Sequence, residues 1–333
     1  MSTHFPDGET VRSALMLAIR APSLHNSQPW QWRVGAQSLH LYANPDLLLP
    51  RTDPEARDLI LSCGATLNHC QVAFAALGWQ AKVHRYPNAD DPNHLASLEL
   101  HRYPATEVDV SLAAAIPRRR TDRRIYSSWP VPQRDIALMG ARTARAGVML
   151  RRVDAIANLK HQVADAAWRH NNDPEYLAEL SEWSGRYGST AGVPARSTPN
   201  PDPDTAIPAR SFAGAVLTQP SDAPPSEDNA AVVALGTVAD DRVSQLRAGE
   251  ATSLVLLTAT AAGLASCPIT EPLEIPDIRA AVGADVFGVE GYPQMLLRIG
   301  WASVNADPLP ATPRRPLGEV VTRLDGSALN YLT

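Results

Sequence analysis

From about Pro54 to Leu77 the sequence runs through a stretch whose Ala, Leu and Cys side chains would make a helix apolar around most of its circumference. Such a helix has no face to give to water, so it belongs at the centre of whatever the chain folds into. A second long apolar helix is expected from Asp241 to Gly263. Laid over each other without a gap, the two stretches match at Leu61, Gly64, Ala76 and Gly78 against Leu246, Gly249, Ala261 and Gly263. The match reads either as an internal repeat or as two unrelated alanine-rich core helices, and these residues alone leave both open.

Around the first of these helices, the apolar spacing of Val11, Leu15 and Ala18 or Ile19 predicts a helix from about Glu9 to Arg20, stopped by Pro22. Trp30, Trp32 and Val34 alternate as in a strand, and a second strand, Ser38 to Tyr42, follows the Gly35 turn to make a hairpin. Strands Gln80 to Tyr86 and Leu95 to His101 close the first half. Around the second long helix, helices are expected at Pro132 to Ala144, Ala155 to Asn171 and Pro174 to Trp183. Strands are expected there at Gly147 to Val153, Ala230 to Val238 and Tyr292 to Trp301. Between Pro194 and Pro225 eight prolines occur among Ser, Asp, Thr and Asn, which excludes a regular element. Arg210, Phe212, Val216 and Leu217 give that segment something to dock with, so it reads as a lid rather than as a linker.

At 333 residues, with 44% apolar and 20% charged side chains, the chain can bury one large core or two ordinary ones. A net charge of −5 argues against a nucleic-acid surface. The stretch Met1 to Thr10 lacks the basic-then-apolar order of a signal peptide, and no stretch stands out as a membrane span, so the expected setting is the cytoplasm. Of three cysteines, Cys63 and Cys70 fall on one helix with backbones about 10 Å apart, too far to bridge.

Four stretches carry chemistry that core packing does not explain. The first, Arg20-Ala-Pro-Ser-Leu-His-Asn-Ser-Gln-Pro-Trp30, sets Ser23, His25, Asn26 and Gln28 on a short loop; it reads as a ligand loop or as a turn whose side chains cap nearby backbone. The second, Pro117-Arg-Arg-Arg-Thr-Asp-Arg-Arg124, holds five arginines, whose planar forks match phosphate oxygens; a solvated patch or an ion-pair knot is the alternative. In the third, Ala262-Gly-Leu-Ala-Ser-Cys-Pro-Ile-Thr270, Gly263 ends a helix and leaves Pro268 to Thr270 extended, either toward a flat ligand or merely as a helix cap. The fourth, Ala311-Thr-Pro-Arg-Arg-Pro-Leu-Gly-Glu-Val320, stiffens Arg314 and Arg315 between prolines, as an anion contact or as a basic tail. Dinucleotide-binding glycine fingerprints, phosphate loops, metal-spaced Cys or His pairs and nucleophile elbows are all missing.

Taken together these stretches resemble the FMN-dependent nitroreductase family, and more closely its Acg-type branch of mycobacteria and related actinobacteria. The match is specific at residues 20–30 and at Pro313-Arg-Arg-Pro316, with support from Asn88 to Ser97 and from Arg118 to Arg123. In that family two subunits share each FMN. One gives a Pro-Ser-x-x-Asn-x-Gln-Pro-Trp loop, and the other gives an arginine phosphate motif, a Gly-Leu-x-x-x-Pro-Ile segment and a basic tail. Here the loop occurs once, in the first half, and the other three occur once, in the second.

The resemblance therefore implies an α+β nitroreductase-like fold in which two fused halves form a pseudo-dimer in one chain. Residues 1–110 would be the first half and 111–333 the second, with the Pro-rich lid inserted at about 194–225. It also implies one FMN per chain and a chain that folds as a monomer. By resemblance, Arg119, Thr121 and Arg123 match the phosphate motif and Arg314 completes the anion clamp, with Arg123 alternatively near flavin N1 and O2. Pro22, Ser23, His25, Asn26 and Gln28 would reach the ring and ribityl chain, and the backbone of Pro268, Ile269 and Thr270 would follow the N5 edge. No acid, base or nucleophile is required of the protein, so no catalytic residue is named. The implied activity is NAD(P)H-dependent reduction of nitro or quinone acceptors; the rival reading is a flavin-sequestering protein whose lid covers the ring.

Overall fold

The computed structural model describes residues 5–185, 188–220 and 224–329. Residues 1–4 of the polar N-terminal stretch and 221–223 of the Pro-rich segment lie outside them.

Helix α1 (Gly8–Ala18) starts where the Asp7 carboxylate accepts the Thr10 N–H and buries Val11, Ala14, Leu15 and Ala18. The hairpin β1 (Trp30–Val34) and β2 (Leu39–Ala43) alternates buried and half-buried side chains, as its sequence requires. Next come α2 (Arg57–Ala76), β3 (Trp79–Arg85), β4 (His94–Arg102) and α3 (Glu107–Ala115), the last fixed by a reciprocal Thr106–Asp109 cap. The second half holds α4 (Gln133–Arg145), β5 (Met149–Arg152), α5 (Ile156–Asn171), α6 (Pro174–Glu182), β6 (Ala231–Thr237) and α7 (Arg242–Ala261). It continues through β7 (Ala265–Ile269), α8 (Pro276–Val286), β8 (Tyr292–Gly300), α9 (Leu317–Val320) and β9 (Val321–Arg323).

The strands form two sheets, β3-β4-β2-β1-β9 and β5-β6-β8-β7. Read from the strand that follows each long helix, both have the same order, β3-β4-β2-β1 and β7-β8-β6-β5. The likeness extends to detail. Each sheet shifts register at the matched place, between Leu41 and Tyr42 in one and between Leu235 and Gly236 in the other. Gly78 and Gly263, directly after the long helices, take φ of 81° and 82°, a left-handed turn that glycine adopts without strain. The repeat that four helix residues could only suggest is therefore a repeat of whole topology, and the fold is two halves of one α+β architecture.

The halves meet along α2 and α7, backbone against backbone. A Cβ added at Gly64 would lie 2.2 Å from the Leu246 carbonyl oxygen, and one at Gly249 would lie 2.1 Å from that of Leu61. Farther along, the Ser253 hydroxyl lies 2.7 Å from Asn68 Oδ1 and 2.8 Å from His69 Nδ1. Among the described residues α2 is the one helix long and apolar enough to cross a membrane, contrary to the reading from sequence, but most of it is buried inside the fold. The three cysteines are free and buried.

The halves differ in what was added to them. Between β5 and β6 the second half inserts α5, α6 and the Pro-rich segment, where the first half has only the Gly35 turn. With α8, α5 and Ile207 of the Pro-rich segment cover the outer face of the second sheet, so β6 is buried along its whole length, while α6 packs Tyr176 and Leu180 against Val193 and Phe212. Five elements were not anticipated from sequence: α3, β7, α8, α9 and β9. Pro268 hides β7, and it is tolerated because β7 is an edge strand. β9 pairs parallel to β1 from the far end of the chain, so the C-terminal segment belongs to the first sheet.

Gly140 in α4 has nothing within 4 Å of an added Cβ. Gly64→Ala is expected to destabilise the fold by about 1–3 kcal/mol, whereas Gly140→Ala should stabilise it by up to about 1 kcal/mol. Urea unfolding of the two variants reads both signs, and equal shifts would contradict the close helix contact.

Candidate functional site

The loop after α1 is held in a conformation that its residues would not choose alone. His25, Asn26 and Gln28 take φ of 46°, 55° and 55°, left-handed values that cost non-glycine residues energy. Hydrogen bonds from every side impose them. Ser23 Oγ accepts from Gln28 N at 2.9 Å, and Ser62 Oγ on α2 accepts from Leu24 N at 3.1 Å. Asn26 Nδ2 donates to the Gly192 and Pro313 carbonyls at 3.0 and 3.2 Å. Gln28 Nε2 donates to the Thr190 carbonyl at 2.8 Å, and Gln28 Oε1 accepts from Arg315 N at 2.9 Å. The loop is thereby tied both to the added segment and to the C-terminal tail.

Arg314 closes this knot. Its Nε donates to Ile19 O at 3.0 Å and its Nη2 to Arg20 O and Ala21 O at 2.9 and 3.0 Å, satisfying carbonyls freed where α1 ends. Its Nη1 donates to Thr312 O and Pro313 O. Every N–H of this guanidinium is therefore engaged, so Arg314 brings charge to the site but no free donor.

Free donors lie on Arg119, which is only 6% exposed and whose Nε and Nη1 have no partner. Burial, then Arg120, Arg20 and Arg123, pulls its pKa down to about 10. Arg314 is pulled down to about 9 by burial and then by Arg119, Arg20 and Arg120. Neighbouring members of the arginine run serve other ends. Arg118 is exposed on the α3 carboxyl end, while Arg124 forms a buried two-pronged pair with Asp122 at 2.8 and 2.9 Å, the ion-pair knot among the readings of this stretch.

These pieces line a cavity at the junction of the two halves. Pro22, Ser23 and His25 come from the loop, Leu61 and Ala65 from α2, Thr121 and Arg123 from the arginine segment, and Pro268, Ile269 and Thr270 from the outer edge of the second sheet. A smaller adjoining compartment is bounded by Asn26, Arg119 and Arg314 together with Ser23, Thr121 and Arg123. Of the residues expected at a site, Gln28 alone lines neither space; buried behind the loop, it fastens loop to tail.

The Pro-rich segment roofs the large cavity with Ile207, Pro208, Arg210 and Phe212. Arg210 donates to Glu274 at 2.5 Å, to Thr270 Oγ1 at 3.2 Å, and lies 3.2 Å from His25 Nε2. Phe212 meets the His25 ring edge-on at 5.8 Å and lies under the Arg123 guanidinium at 4.9 Å. Burial, then Arg210 and Arg123, holds the His25 pKa well below its ordinary value, so its imidazole is neutral. Asp58 and Arg298 also line the cavity and were not anticipated. Their signal was legible, since each is a charge within an apolar run, Asp58 beside Leu59-Ile60-Leu61 and Arg298 after Met295-Leu296-Leu297.

No protein-family model matches the chain. A Mycobacterium tuberculosis protein named "Putative NAD(P)H nitroreductase" is 63% identical over 321 residues, covering 96% of this chain and 93% of the relative. The M. tuberculosis "Putative NAD(P)H nitroreductase acg" is 39% identical over 323 residues, covering 94% and 95%. Solved structures are more distant. A nitroreductase with bound FMN from Bacteroides fragilis aligns with a TM-score of 0.38 at 14% identity, over 59% of this chain and 90% of that one. The FMN-dependent nitroreductase NfnB of Mycobacterium smegmatis, in complex with NADPH, aligns with a TM-score of 0.39 at 18% identity, over 66% and 99%. Identity at this level along nearly the full length of both chains settles kinship: the chain belongs to the family of mycobacterial proteins named as NAD(P)H nitroreductases that includes Acg.

Proposed function

We propose that the chain binds one FMN across the junction of its halves and acts as an NAD(P)H-dependent nitroreductase. In this reading residues up to about 110 and those beyond descend from two subunits, and the former subunit interface is the α2–α7 contact. The observation that carries it is Arg119, a buried cation with two unpartnered donors, set beside Arg314 at one end of a mostly apolar slot. A flat ring with a phosphate on a polyhydroxy arm has that pattern of needs.

Arg119 would donate to the phosphate, with the Thr121 and Ser23 hydroxyls within the same compartment and the Arg314 charge behind it. Arg123 would oppose the charge of the reduced ring. His25, being neutral, adds no competing charge, and the backbone of Pro268 to Thr270 offers polar groups to the ring edge. When bound, FMN supplies the hydride chemistry, with nitro or quinone compounds as acceptors. The protein's own work is to hold the ring, to keep water off it and to regulate access.

Access favours a second reading. Arg210 and Phe212 roof the cavity, and Arg210 is latched to Glu274, so a nicotinamide cannot reach contact distance while the roof is down. A protein that keeps its flavin from reductant would be built this way.

Arg119→Gln should weaken FMN binding about tenfold to a hundredfold, the cost of one charge-assisted contact, whereas Arg118→Gln should leave it unchanged. Fluorescence titration of apoprotein with FMN measures both, and equal affinities would overturn the phosphate assignment. The double variant Arg210→Gln, Glu274→Gln removes both members of the latch and leaves the neighbouring Glu271, 3.9 Å from Arg210, with His170 as its ion partner. It should keep its flavin and lose the flavin absorbance under anaerobic NADPH about tenfold faster than the parent; an unchanged rate would remove the support for sequestration.

A further inference from the structure

The likeness of the halves lets residues of the cavity be traced to their counterparts on the other side of the α2–α7 contact. Carried on without a gap through Gly78 and Gly263, the alignment of the long helices matches Ala65 on α2 with Glu250 on α7. It also matches Thr270, just after β7, with Arg85 at the end of β3. The strand pairings keep the same step. Val83 and Pro268, matched in this way, lie opposite Leu98 and Leu297, and each leucine stands the same distance from its sheet's register shift.

On one side of the contact Ala65 and Thr270 both line the cavity. On the other, their counterparts meet each other. Arg85 Nε and Nη2 donate to Glu250 Oε1 and Oε2 at 2.7 and 2.8 Å, and Gln71 Nε2 donates to Oε2 at 2.9 Å. Glu250 is buried, and these three donors replace the water its carboxylate gives up. Two small residues on the open side thus answer to two long charged ones on the filled side. The pair also clasps the halves, because Arg85 and Gln71 belong to the first and Glu250 to the second. The filled side has no ligand loop either: residues 19–29 join α1 to β1, but only 146–148 join α4 to β5.

We propose that the Arg85–Glu250 pair stands where a second flavin ring would lie, and that exchanging it for its small counterparts opens a latent site for a flat, uncharged heteroaromatic ring. The proposal rests on the flavin reading of the cavity and adds to it what closes the opposite side. The latent site would take a ring without a phosphate, since no arginine precedes α1 as the Arg118 to Arg123 run precedes α4.

Fluorescence titration with lumiflavin, the flavin ring without its ribityl phosphate, tests this on full-length protein already loaded with FMN. The parent should bind none. Arg85→Thr, Glu250→Ala, which gives the filled side the residues of the open one, should keep its FMN and bind one lumiflavin per chain. Arg85→Met, Glu250→Gln, which removes the charges but keeps the bulk, should bind none. The reciprocal variant Ala65→Glu, Thr270→Arg should fold, by circular dichroism, yet take up no FMN, and it decides the matter if the Thr/Ala variant does not fold. A loaded Thr/Ala variant that binds no lumiflavin, a Met/Gln variant that binds it equally well, or a reciprocal variant that loads FMN as the parent does would each overturn the proposal and leave the flavin reading standing. A parent that takes up no FMN, beside a Thr/Ala variant that gains a lumiflavin site, would sink the flavin reading and support the filled counterpart.

Discussion

The contact of Gly64 with the Leu246 carbonyl, and of Gly249 with that of Leu61, is what the rest of the molecule depends on. Only where neither helix carries a Cβ can two backbones come so close, and α2 and α7 meet at such a place. The site is a product of that closeness. Its loop belongs to one half and its arginine segment and sheet edge to the other, so neither half could form it alone.

The two halves are not built alike. The second sheet carries α5, α8 and part of the Pro-rich segment on its outer face, and part of that segment doubles as the roof of the cavity. Ile207 packs into the core beneath it while Arg210 and Phe212, a few residues on, face the cavity, so the roof is anchored rather than loose. β9 joins the first sheet, and just before it Arg314 gives all its donors to the end of α1 and to its own neighbours. A residue expected to grip an anion directly thus has every donor engaged in fastening the loop, and the unpartnered donors nearby are those of Arg119.

The sequence disclosed what local periodicity encodes. The long apolar helices, the tryptophan hairpin and the proline-broken segment were legible because each is specified by its own residues. The elements missed owe their existence to partners elsewhere: β9 needs β1, and β7 needs a sheet edge that can tolerate Pro268. The same division runs through the site. Loop, arginine run, sheet edge and tail could be named from their motifs, and the structure gathers them around two adjoining spaces, the sheet edge on one and the tail on the other. That Gln28 faces away from the cavity, that Arg124 is spent on Asp122 and that Arg314 is spent on carbonyls could not be read, because each depends on which acceptors the fold brings near.

The central claim is that two halves in one chain make a single flavin site. Native mass spectrometry of the chain reconstituted with excess FMN addresses it directly. The account predicts one 35.9 kDa chain carrying one FMN, with no second flavin retained. Two FMN on one chain, or flavin found only on a dimer, would contradict it.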